Sequence, residues 1–503
     1  MVFSSQIFLF WFLPWVLLLL WVAPRSLRNL LLTICSYVFY GWTNPIFVLL
    51  MFGSTLVDYC CGLALVSAVE GEGEGEGEGE GEGKGMRLQL AAGGDRSLRQ
   101  RVALWTSIVV NLAVLGFFKY WNFGMEVWQE LMTQMGADSS SSPGILRVTL
   151  PLGISFYTFQ SMSYCIDVYR GAAPATRSFR DFACFVALFP QLVAGPILRY
   201  RDLSEQLRDR QVGRLSVASG AAFFSLGLAR KVLLANPAGE AADLVFAASQ
   251  PGFVAAWLGS IFFAMQIYFD FSGYSDMARG LGLMLGFRFP ANFDAPYRAE
   301  SLTEFWRRWH ISLSGWLRDY VYFPLGGSRC GRGRTCVNLL LVLLLGGLWH
   351  GAAWNFLLWG AVHGVLLAAE RLAGVKASVA SHRRNATLWL QRLIRRGAVF
   401  AVVCITWVLF RSESIVQIRT LLGAMTGVDS AGPAAGILSA VLLQPWNLYV
   451  LGLGATVIWL SPSTERFVQR LTIVRALWVL LLLLLSVSML SVQSRNPFIY
   501  FLF

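Results

Sequence analysis

Residues Asn338–Gly364 read NLLLVLLLGGLWHGAAWNFLLWGAVHG. Eleven nearly unbroken apolar residues precede His350, and further apolar residues follow it. A histidine at that depth in an apolar helix is costly in a bilayer, which makes His350 a candidate functional residue. Gly346, Gly347 and Gly351 lie close to it and leave space beside the imidazole for another backbone or a slim ligand. This stretch therefore predicts membrane-embedded helices that carry a polar site.

The composition of the whole chain is that of a membrane protein. Of 503 residues, 56% are hydrophobic and 14% are charged, which is too little polar surface for a soluble protein of this size. At about 20 residues per membrane-spanning helix, the length allows roughly 10 to 13 spans. We expect an all-α polytopic membrane protein with additional re-entrant or interfacial helices, forming one integral membrane domain over residues 1–503.

The formal charge of +12 comes from basic residues that are spread over short loops. This distribution is typical of the positive-inside rule, whereas nucleic-acid binding would gather the charge on one soluble face. The loop Arg371–Arg396 holds seven basic residues and no acid, so we expect it to be cytoplasmic. A low-complexity Glu-Gly tract over residues 70–85 is expected to be a solvated loop insertion without a function of its own.

Several catalytic classes lack their usual signature in this sequence. It contains no GxSxG, HExxH or P-loop motif, which disfavours a serine hydrolase, a metalloprotease and an ATPase. The eight cysteines include no CxxC pair, and Cys330 and Cys336 flank a basic loop without further ligands. We therefore expect no metal site.

The segment Ser301–Tyr320, SLTEFWRRWHISLSGWLRDY, has the pattern of one amphipathic helix. Ser301 or Thr303 could cap its start, and Glu304 follows Ser301 by three residues, as in a capping box. On a helical wheel the aromatic residues cover one face, and His310 lies at the edge of that face. The helix is too polar to span lipid, so it should lie at an interface or line a polar cavity. A hydrogen-bonded histidine in an interfacial helix is the alternative to a functional one.

A third polar stretch is QIYFDFSGYSDMAR, from Gln266 to Arg279. Gln266 and Asp270 share a helix face, and Asp276 is spaced to pair with Arg279. Asp270 could orient a histidine, polarise a substrate or carry a proton. A polar network that locks helices together explains the same residues equally well.

A further histidine, His363, follows His350 by thirteen residues, which is about 220° around a continuous helix. The two therefore do not share a face, and zinc binding by this pair is disfavoured because helical zinc ligands are four residues apart. We expect His363 to bond a neighbouring helix.

A buried neutral histidine suits general-base catalysis on a hydroxyl or a thiol. Acyl transfer fits this chemistry. One histidine would remove a proton from the acceptor hydroxyl, and a second polar group would position the acyl carbonyl or stabilise its oxyanion.

Three long motifs carry a resemblance to a known family. They are QIYFDFSGYSDMARGLGLMLGFRFPANFDAPYR, FWRRWHISLSGWLRDYVYFPLGG and GGLWHGAAWNFLLWGAVHG. Together they resemble the membrane-bound O-acyltransferase (MBOAT) family, most of all its bacterial branch of alginate O-acetylation proteins. The resemblance extends over nearly the whole chain, and it implies a helical membrane fold around a central tunnel with access from both sides.

The resemblance also implies roles for particular residues. His350 matches the catalytic histidine of the family, and His310 matches its second active-site position. We expect His350 to act as the general base and His310 to orient or stabilise the acyl group. The residues expected to shape or support the tunnel are Trp309, Trp349, Trp354, Gln266, Asp270 and Asp319.

No permanently bound cofactor is implied, and the donor would be acetyl-CoA or another cytoplasmic acetyl thioester. Arg329, Arg332 and Arg334 are candidates for binding its phosphates, although membrane topology explains these residues as well.

We therefore expect a membrane O-acetyltransferase of the bacterial inner membrane that serves O-acetylation of an envelope polysaccharide such as alginate. Peptidoglycan and cellulose are alternative acceptors, and a non-catalytic acyl or lipid transporter or an export scaffold is the alternative to an enzyme. The expected partners are a periplasmic SGNH-type acetyltransferase or polymer-export proteins, the polysaccharide and the lipid bilayer, with no nucleic acid.

Overall fold

The computed structural model describes residues 1–66, 89–136, 146–375, 386–428, 432–493, 496 and 498–499. The described residues form helices and no strand, as the sequence predicted. The Glu-Gly tract lies outside the described residues. The middle of the basic loop Arg371–Arg396 also lies outside them. The last part of that loop belongs to the helix that begins at Ala386.

The chain packs into two compact units. The first comprises Met1, residues 5–217 and residues 282–289. Its helices are α1 (Leu13–Val22), α2 (Arg25–Gly41), α3 (Ile46–Val66), α4 (Leu98–Gln134), α5 (Ile154–Arg170), α6 (Phe179–Ala187), α7 (Phe189–Leu192) and α8 (Tyr200–Arg208), with a π-helical segment at Phe8–Phe12. Buried Asp58 of α3 accepts hydrogen bonds from Ser107 Oγ (2.5 Å) and Asn111 Nδ2 (2.8 Å), which join α3 to α4.

The second unit comprises residues 2–4, 218–281 and 290–503. It holds the larger parts of α9 (Arg214–Ala229) and α11 (Phe253–Met284). Its other helices are α10 (Asn236–Phe246), α12 (Leu302–Arg308), α13 (Ile311–Leu317), α14 (Gly331–His350), α15 (Trp354–Leu372), α16 (Ala386–Arg411), α17 (Ile415–Thr426), α18 (Ala435–Leu442), α19 (Pro445–Trp459), α20 (Thr464–Val468) and α21 (Ile473–Val492), with π-helical segments at Arg230–Ala235 and Arg318–Tyr322 and a 3₁₀ turn at Pro296–Arg298.

Seven helices in the described part of the chain are long and apolar enough to cross a membrane. They are α3, α4, the continuous helix Arg214–Phe246, α11, α14, residues Thr387–Arg411 of α16, and α21. The bent pair α18 and α19 makes an eighth if the two helices form one span. The expectation of an all-α polytopic membrane protein is therefore confirmed.

The number of long apolar helices is lower than the 10 to 13 spans expected from length. The reason is that some apolar stretches form short or broken helices. Residues 180–198 give only α6 and α7, which are separated at Leu188, and Pro190 lies in the first turn of α7. Proline lacks an amide hydrogen and so favours a new helix start over the continuation of a helix.

Helices α14 and α15 form a tight hairpin that determines the position of His350. A Cβ atom on Gly347 would overlap the carbonyl oxygen of Phe356, and one on Gly360 would overlap that of Leu343. Only glycine permits this backbone approach. The prediction that the glycines near His350 make room for another backbone is confirmed at Gly347.

Candidate active site

The predicted continuous helix over Ser301–Tyr320 is wrong, because the chain breaks at Trp309 and His310. Trp309 is extended, and His310 adopts a left-handed backbone with φ 43° and ψ 55°. Residues other than glycine rarely adopt this conformation, which costs about 1–3 kcal/mol and persists only where surrounding contacts hold it. The break separates α12 from α13 and turns His310 into the protein interior.

The start of α12 is anchored from two sides. Ser301 Oγ accepts from Glu304 N at 3.1 Å, which confirms the predicted cap. Glu370 of α15 accepts hydrogen bonds from the backbone amides of Leu302 (2.7 Å) and Thr303 (2.9 Å) and from Thr303 Oγ1 (2.8 Å). Helix α12 is thereby tied to the α14–α15 hairpin, whose first helix ends at His350.

Asn292, in the loop after α11, holds the break in place. Its backbone oxygen accepts from Ile311 N at 2.9 Å. Its side-chain oxygen accepts from Ser312 N (3.2 Å) and Ser312 Oγ (2.9 Å) and lies 3.2 Å from His310 Nδ1. Its amide nitrogen donates to Ser275 Oγ of α11 at 3.1 Å. Sequence reasoning missed this residue, although it lies inside the PANFDAPYR motif.

His310 is fully buried against aromatic rings. Its ring centroid lies 4.7 Å from that of Phe271, edge to face, and 5.8 Å from that of Trp349. Among the described residues its Nε2 atom has no hydrogen-bond partner. His310 lies outside the candidate membrane-spanning helices, and burial, with the nearby His350, lowers its pKa well below the usual value. The imidazole is therefore neutral at physiological pH, as a base must be.

His350 is the last residue of α14, is buried, and lies beside His310. The two ring centroids are 6.4 Å apart. Rings of Trp349, Trp359 and Phe410 lie 5.1, 5.4 and 5.3 Å from that of His350. The two histidines predicted to carry the chemistry are thus brought together in an aromatic-walled site, His310 from the break between α12 and α13 and His350 from the end of α14.

The three predicted tunnel tryptophans occupy different surroundings. Trp349 contacts both histidine rings. Trp309 is buried but stacks on Phe305 and packs on Trp407, with ring centroids 5.6 and 5.0 Å away. Trp354 begins α15 and is 53% exposed. Of the three, Trp349 is the one whose position suits direct contact with a substrate at the histidines.

The part of the chain that holds both histidines is similar in sequence to known proteins. Residues 172–389, which include both histidines, match the membrane-bound O-acyltransferase family. The chain is 41% identical to a probable alginate O-acetylase AlgI of Pseudomonas putida over the full length of both proteins. It is 46% identical to a protein of the same description from Pseudomonas syringae pv. tomato, over 84% of this chain and 75% of the relative.

The chain belongs to the membrane-bound O-acyltransferase family. It is therefore a multi-pass membrane protein and an acyltransferase. It is also 31% identical to a peptidoglycan O-acetyltransferase of Helicobacter pylori, over 85% of this chain and 80% of the relative. More distant is a teichoic acid D-alanyltransferase of Bacillus subtilis, which is 29% identical over 43% of this chain and 58% of the relative. The names of these four relatives all describe acyl transfer: O-acetylation for alginate and peptidoglycan, and D-alanylation for teichoic acid.

The structure gives the other acids and amides predicted near the site contacts within the protein. Asp270 forms a buried ion pair with Lys231 Nζ (3.0 Å) and accepts from Ile499 N at 2.7 Å. The Gln266 side chain fills the space beside Gly239. Asp319 accepts from Arg318 Nε at 2.7 Å. For Asp270 these contacts match the interpretation of a polar network that locks helices together. Its neighbour Phe271, also in α11, contacts His310.

The predicted pair of Asp276 with Arg279 is wrong. Asp276 accepts from Arg230 Nη1 and from Thr464 Oγ1, both at 2.6 Å. Arg279 pairs with Glu465 at 3.1 Å. The two side chains share a helix, but neighbouring elements offer each a partner closer than the other.

His363 bonds neighbouring helices, as predicted. The indole Nε1 of Trp306 donates to His363 Nδ1 at 3.3 Å, and His363 Nε2 lies 3.1 Å from Thr406 Oγ1 in α16. An indole can only donate, so Nδ1 accepts and the proton of this neutral histidine lies on Nε2. Both nitrogens are therefore used in holding the helices together.

Arg329, Arg332 and Arg334 are exposed and lie at the start of α14. His350 ends the same helix, so Arg332 lies about 27 Å from it at the usual rise of 1.5 Å per residue. The candidate phosphate-binding residues and His350 are therefore at opposite ends of α14.

Proposed function

We propose that this acyltransferase is an inner-membrane O-acetyltransferase that serves O-acetylation of an envelope polysaccharide, with alginate as the first candidate. The observation that carries the proposal is the buried pair of His310 and His350, with ring centroids 6.4 Å apart, inside the region that matches the family. The choice of alginate rests on the 41% full-length identity to the Pseudomonas putida relative.

The site has the properties that acyl transfer to a hydroxyl requires. A neutral imidazole can accept the proton of the attacking hydroxyl. The rings of Trp349, Trp359 and Phe410 limit access of water, which would otherwise hydrolyse the activated acyl group. We assign His350 as the catalytic histidine and His310 as the group that acts beside it.

The donor in this proposal is acetyl-CoA or another cytoplasmic acetyl thioester. Exposed Arg329, Arg332 and Arg334 suit recognition of its phosphates, because guanidinium groups bind phosphate oxygens with paired, charge-assisted hydrogen bonds. The distance of about 27 Å along α14 then requires the acyl end of the donor to extend toward His350.

Peptidoglycan is the second candidate acceptor, and it is favoured by the 31% identity to the Helicobacter pylori peptidoglycan O-acetyltransferase. For either polymer, the acetyl group would have to cross the membrane from its cytoplasmic donor. A periplasmic SGNH-type acetyltransferase or polymer-export proteins would serve as partners that receive it.

The test is the acetyl ester content of exopolysaccharide and peptidoglycan in cells that carry the wild type or His350→Ala at matched membrane abundance. We expect one polymer to lose its acetyl esters, and the polymer affected identifies the acceptor. A matched control is His363→Ala, another buried histidine, which should lower membrane abundance but preserve acetylation per protein. Unchanged acetylation of both polymers in His350→Ala would contradict the proposal.

A further inference from the structure

We propose that Asn292 is a positioning residue that fixes His310 in one tautomer, with the proton on Nδ1 and the lone pair on Nε2. In this role Asn292 makes His310 the group that accepts the proton of the acceptor hydroxyl. The chemical consequence rests on the proposed acyl transfer, whereas the tautomer itself can be tested without it.

The orientation of the Asn292 amide follows from its neighbours. The backbone N–H of Ser312 can only donate, so the Asn292 atom that faces it at 3.2 Å must be the oxygen. The opposite end of the amide then donates from Nδ2 to Ser275 Oγ at 3.1 Å. The Ser312 amide sets this orientation, and the Ser275 hydroxyl, which can accept, is compatible with it.

The tautomer of His310 follows from that orientation. Its Nδ1 atom lies 3.2 Å from the same Asn292 oxygen, which can only accept. An unprotonated Nδ1 would place two lone pairs against each other, so Nδ1 carries the hydrogen. Because burial keeps the ring neutral, Nε2 is left as an acceptor.

The free nitrogen lies where a substrate group would be useful. Nε2 of His310 is buried and has no partner among the described residues. A buried polar atom without a partner costs about 1–3 kcal/mol, so such atoms are kept where a ligand or water meets them. The left-handed backbone at His310, held by Asn292 O and Ile311 N at 2.9 Å, indicates that this ring position is maintained against strain.

His363 provides an internal comparison. Trp306 donates to its Nδ1, so His363 carries its proton on Nε2, opposite to His310. The same unit thus contains two buried neutral histidines in opposite tautomers, each set by one neighbour of fixed polarity. His363 has partners on both nitrogens, whereas His310 has a described partner on Nδ1 alone.

The proposed step balances as follows. The acceptor hydroxyl gives its proton to His310 Nε2 as its oxygen forms a bond to the acyl carbonyl carbon. The C–S bond of the thioester then breaks, and the leaving sulfur takes the proton from Nε2. The products are an ester and a thiol, and His310 returns to its starting tautomer. His350 is left to bind the acyl carbonyl, which exchanges the roles expected from sequence for the two histidines.

The direct test is nitrogen NMR of the full-length protein with ¹⁵N-labelled histidine, which is practicable because the chain has four histidines. The signals of His310 are assigned by their loss in His310→Gln, and those of His363 by their loss in His363→Gln. We expect His310 to be protonated on Nδ1 and His363 on Nε2. Protonation of His310 on Nε2 in the wild type would overturn the proposal.

Variants separate positioning from packing. Asn292→Ala should shift His310 to a mixture of tautomers, whereas Asn292→Asp retains an acceptor oxygen and should preserve the Nδ1–H form. Asn338→Ala is the matched control, because Asn338 is a buried asparagine that bonds Leu325 O and Gly327 O instead of a histidine. An unchanged His310 tautomer in Asn292→Ala would overturn the proposal, and if that variant does not fold, Asn292→Asp and the wild type still decide it.

The kinetic readout uses acetyl transfer by the purified protein. Asn292→Ala should lower kcat severalfold, in proportion to the fraction of His310 that moves to the Nε2–H tautomer, with little change in KM, because a base in that tautomer cannot accept the proton. Asn292→Asp should recover most of kcat. If the wild type shows the predicted tautomer but no acetyl transfer, the proposed function is refuted and the assignment of Asn292 remains intact. The two failures are therefore distinguishable.

Discussion

Replacement of Glu370 should loosen the helix that leads into the active-site break. The Glu370 carboxylate accepts three hydrogen bonds at the start of α12, from Leu302 N, Thr303 N and Thr303 Oγ1, at 2.7 to 2.9 Å. Helix α12 ends at Arg308, two residues before His310. Its anchoring on α15 therefore contributes to the position of His310 relative to His350.

The magnitude follows from the groups left without a partner. Glu370→Ala removes the acceptor of two backbone amides, and each partly buried amide that loses its partner costs about 1–3 kcal/mol. Because Ser301 still caps Glu304 N, the start of α12 is not lost entirely. We expect the free energy of unfolding to fall by about 2–4 kcal/mol for Glu370→Ala, and by about half as much for Glu370→Gln, which keeps one oxygen.

The assay is thermal unfolding of purified variants in one detergent, with acetyl transfer measured at a temperature where all are folded. Glu370→Ala should melt several degrees below the wild type and should have a lower kcat. The control is Glu465→Gln, which weakens a half-exposed pair with Arg279 and should change stability by less than about 1 kcal/mol. A Glu370→Ala melting temperature equal to that of the control would refute the reasoning.

Three further predictions concern the charged and titratable groups. Asp270→Ala should lower membrane abundance, because loss of the carboxylate that pairs with buried Lys231 costs about 3–5 kcal/mol. Lys231→Met with Asp270→Asn should recover the abundance, and equal abundance of both variants would contradict this. The double variant Arg332→Ala, Arg334→Ala should raise the KM for acetyl-CoA about tenfold at constant kcat, since a charge-assisted hydrogen bond contributes about 1.5 kcal/mol. An unchanged KM would exclude these residues from binding the donor. The pKa of His310 in the folded protein lies below its unfolded value of about 6.5, so the folded state binds fewer protons than the unfolded state. The contribution of His310 to stability is therefore present above pH 6.5 and is lost as the pH falls below it. Urea unfolding of His310→Gln should lack this part of the pH dependence, and a pH dependence identical to that of the wild type would contradict the assignment.

The parts of the fold that follow from local pattern were predictable. Apolar stretches such as Asn338–Gly364 correctly predicted embedded helices. The glycines beside His350 correctly predicted the close approach of another backbone, which is that of α15. His363 was expected to bond a neighbouring helix, and Thr406 and Trp306 provide its contacts. In each case the burial of an apolar face or of one polar atom determines the outcome, and both can be read from sequence.

The break at His310 could not be predicted in this way. Neither glycine nor proline occurs at positions 309 and 310, and the helical wheel fits a continuous helix. The break is held by tertiary hydrogen bonds from Asn292, 18 residues earlier in the chain. Helical periodicity contains no information about such a partner. This also explains why Asn292 was missed.

The same limit applies to the polar residues of α11. Spacing placed Asp276 near Arg279, and it cannot show that Arg230 and Thr464 approach the same carboxylate from other elements. Asp270 was a candidate for catalysis because its partner Lys231 was not recognised. Which buried acid is free to react depends on cations contributed by distant parts of the chain.

The central claim is that the histidine pair carries out acyl transfer. The most direct measurement is acetyl-CoA consumption by the purified protein in lipid vesicles with an oligosaccharide acceptor. The wild type is compared with His350→Ala, after both proteins are shown to have the same melting temperature. We predict acceptor-dependent thioester consumption by the wild type and a loss of about 10²- to 10³-fold in His350→Ala, the range for removal of a group that stabilises the oxyanion of the transition state. Equal consumption by the two proteins would contradict the claim.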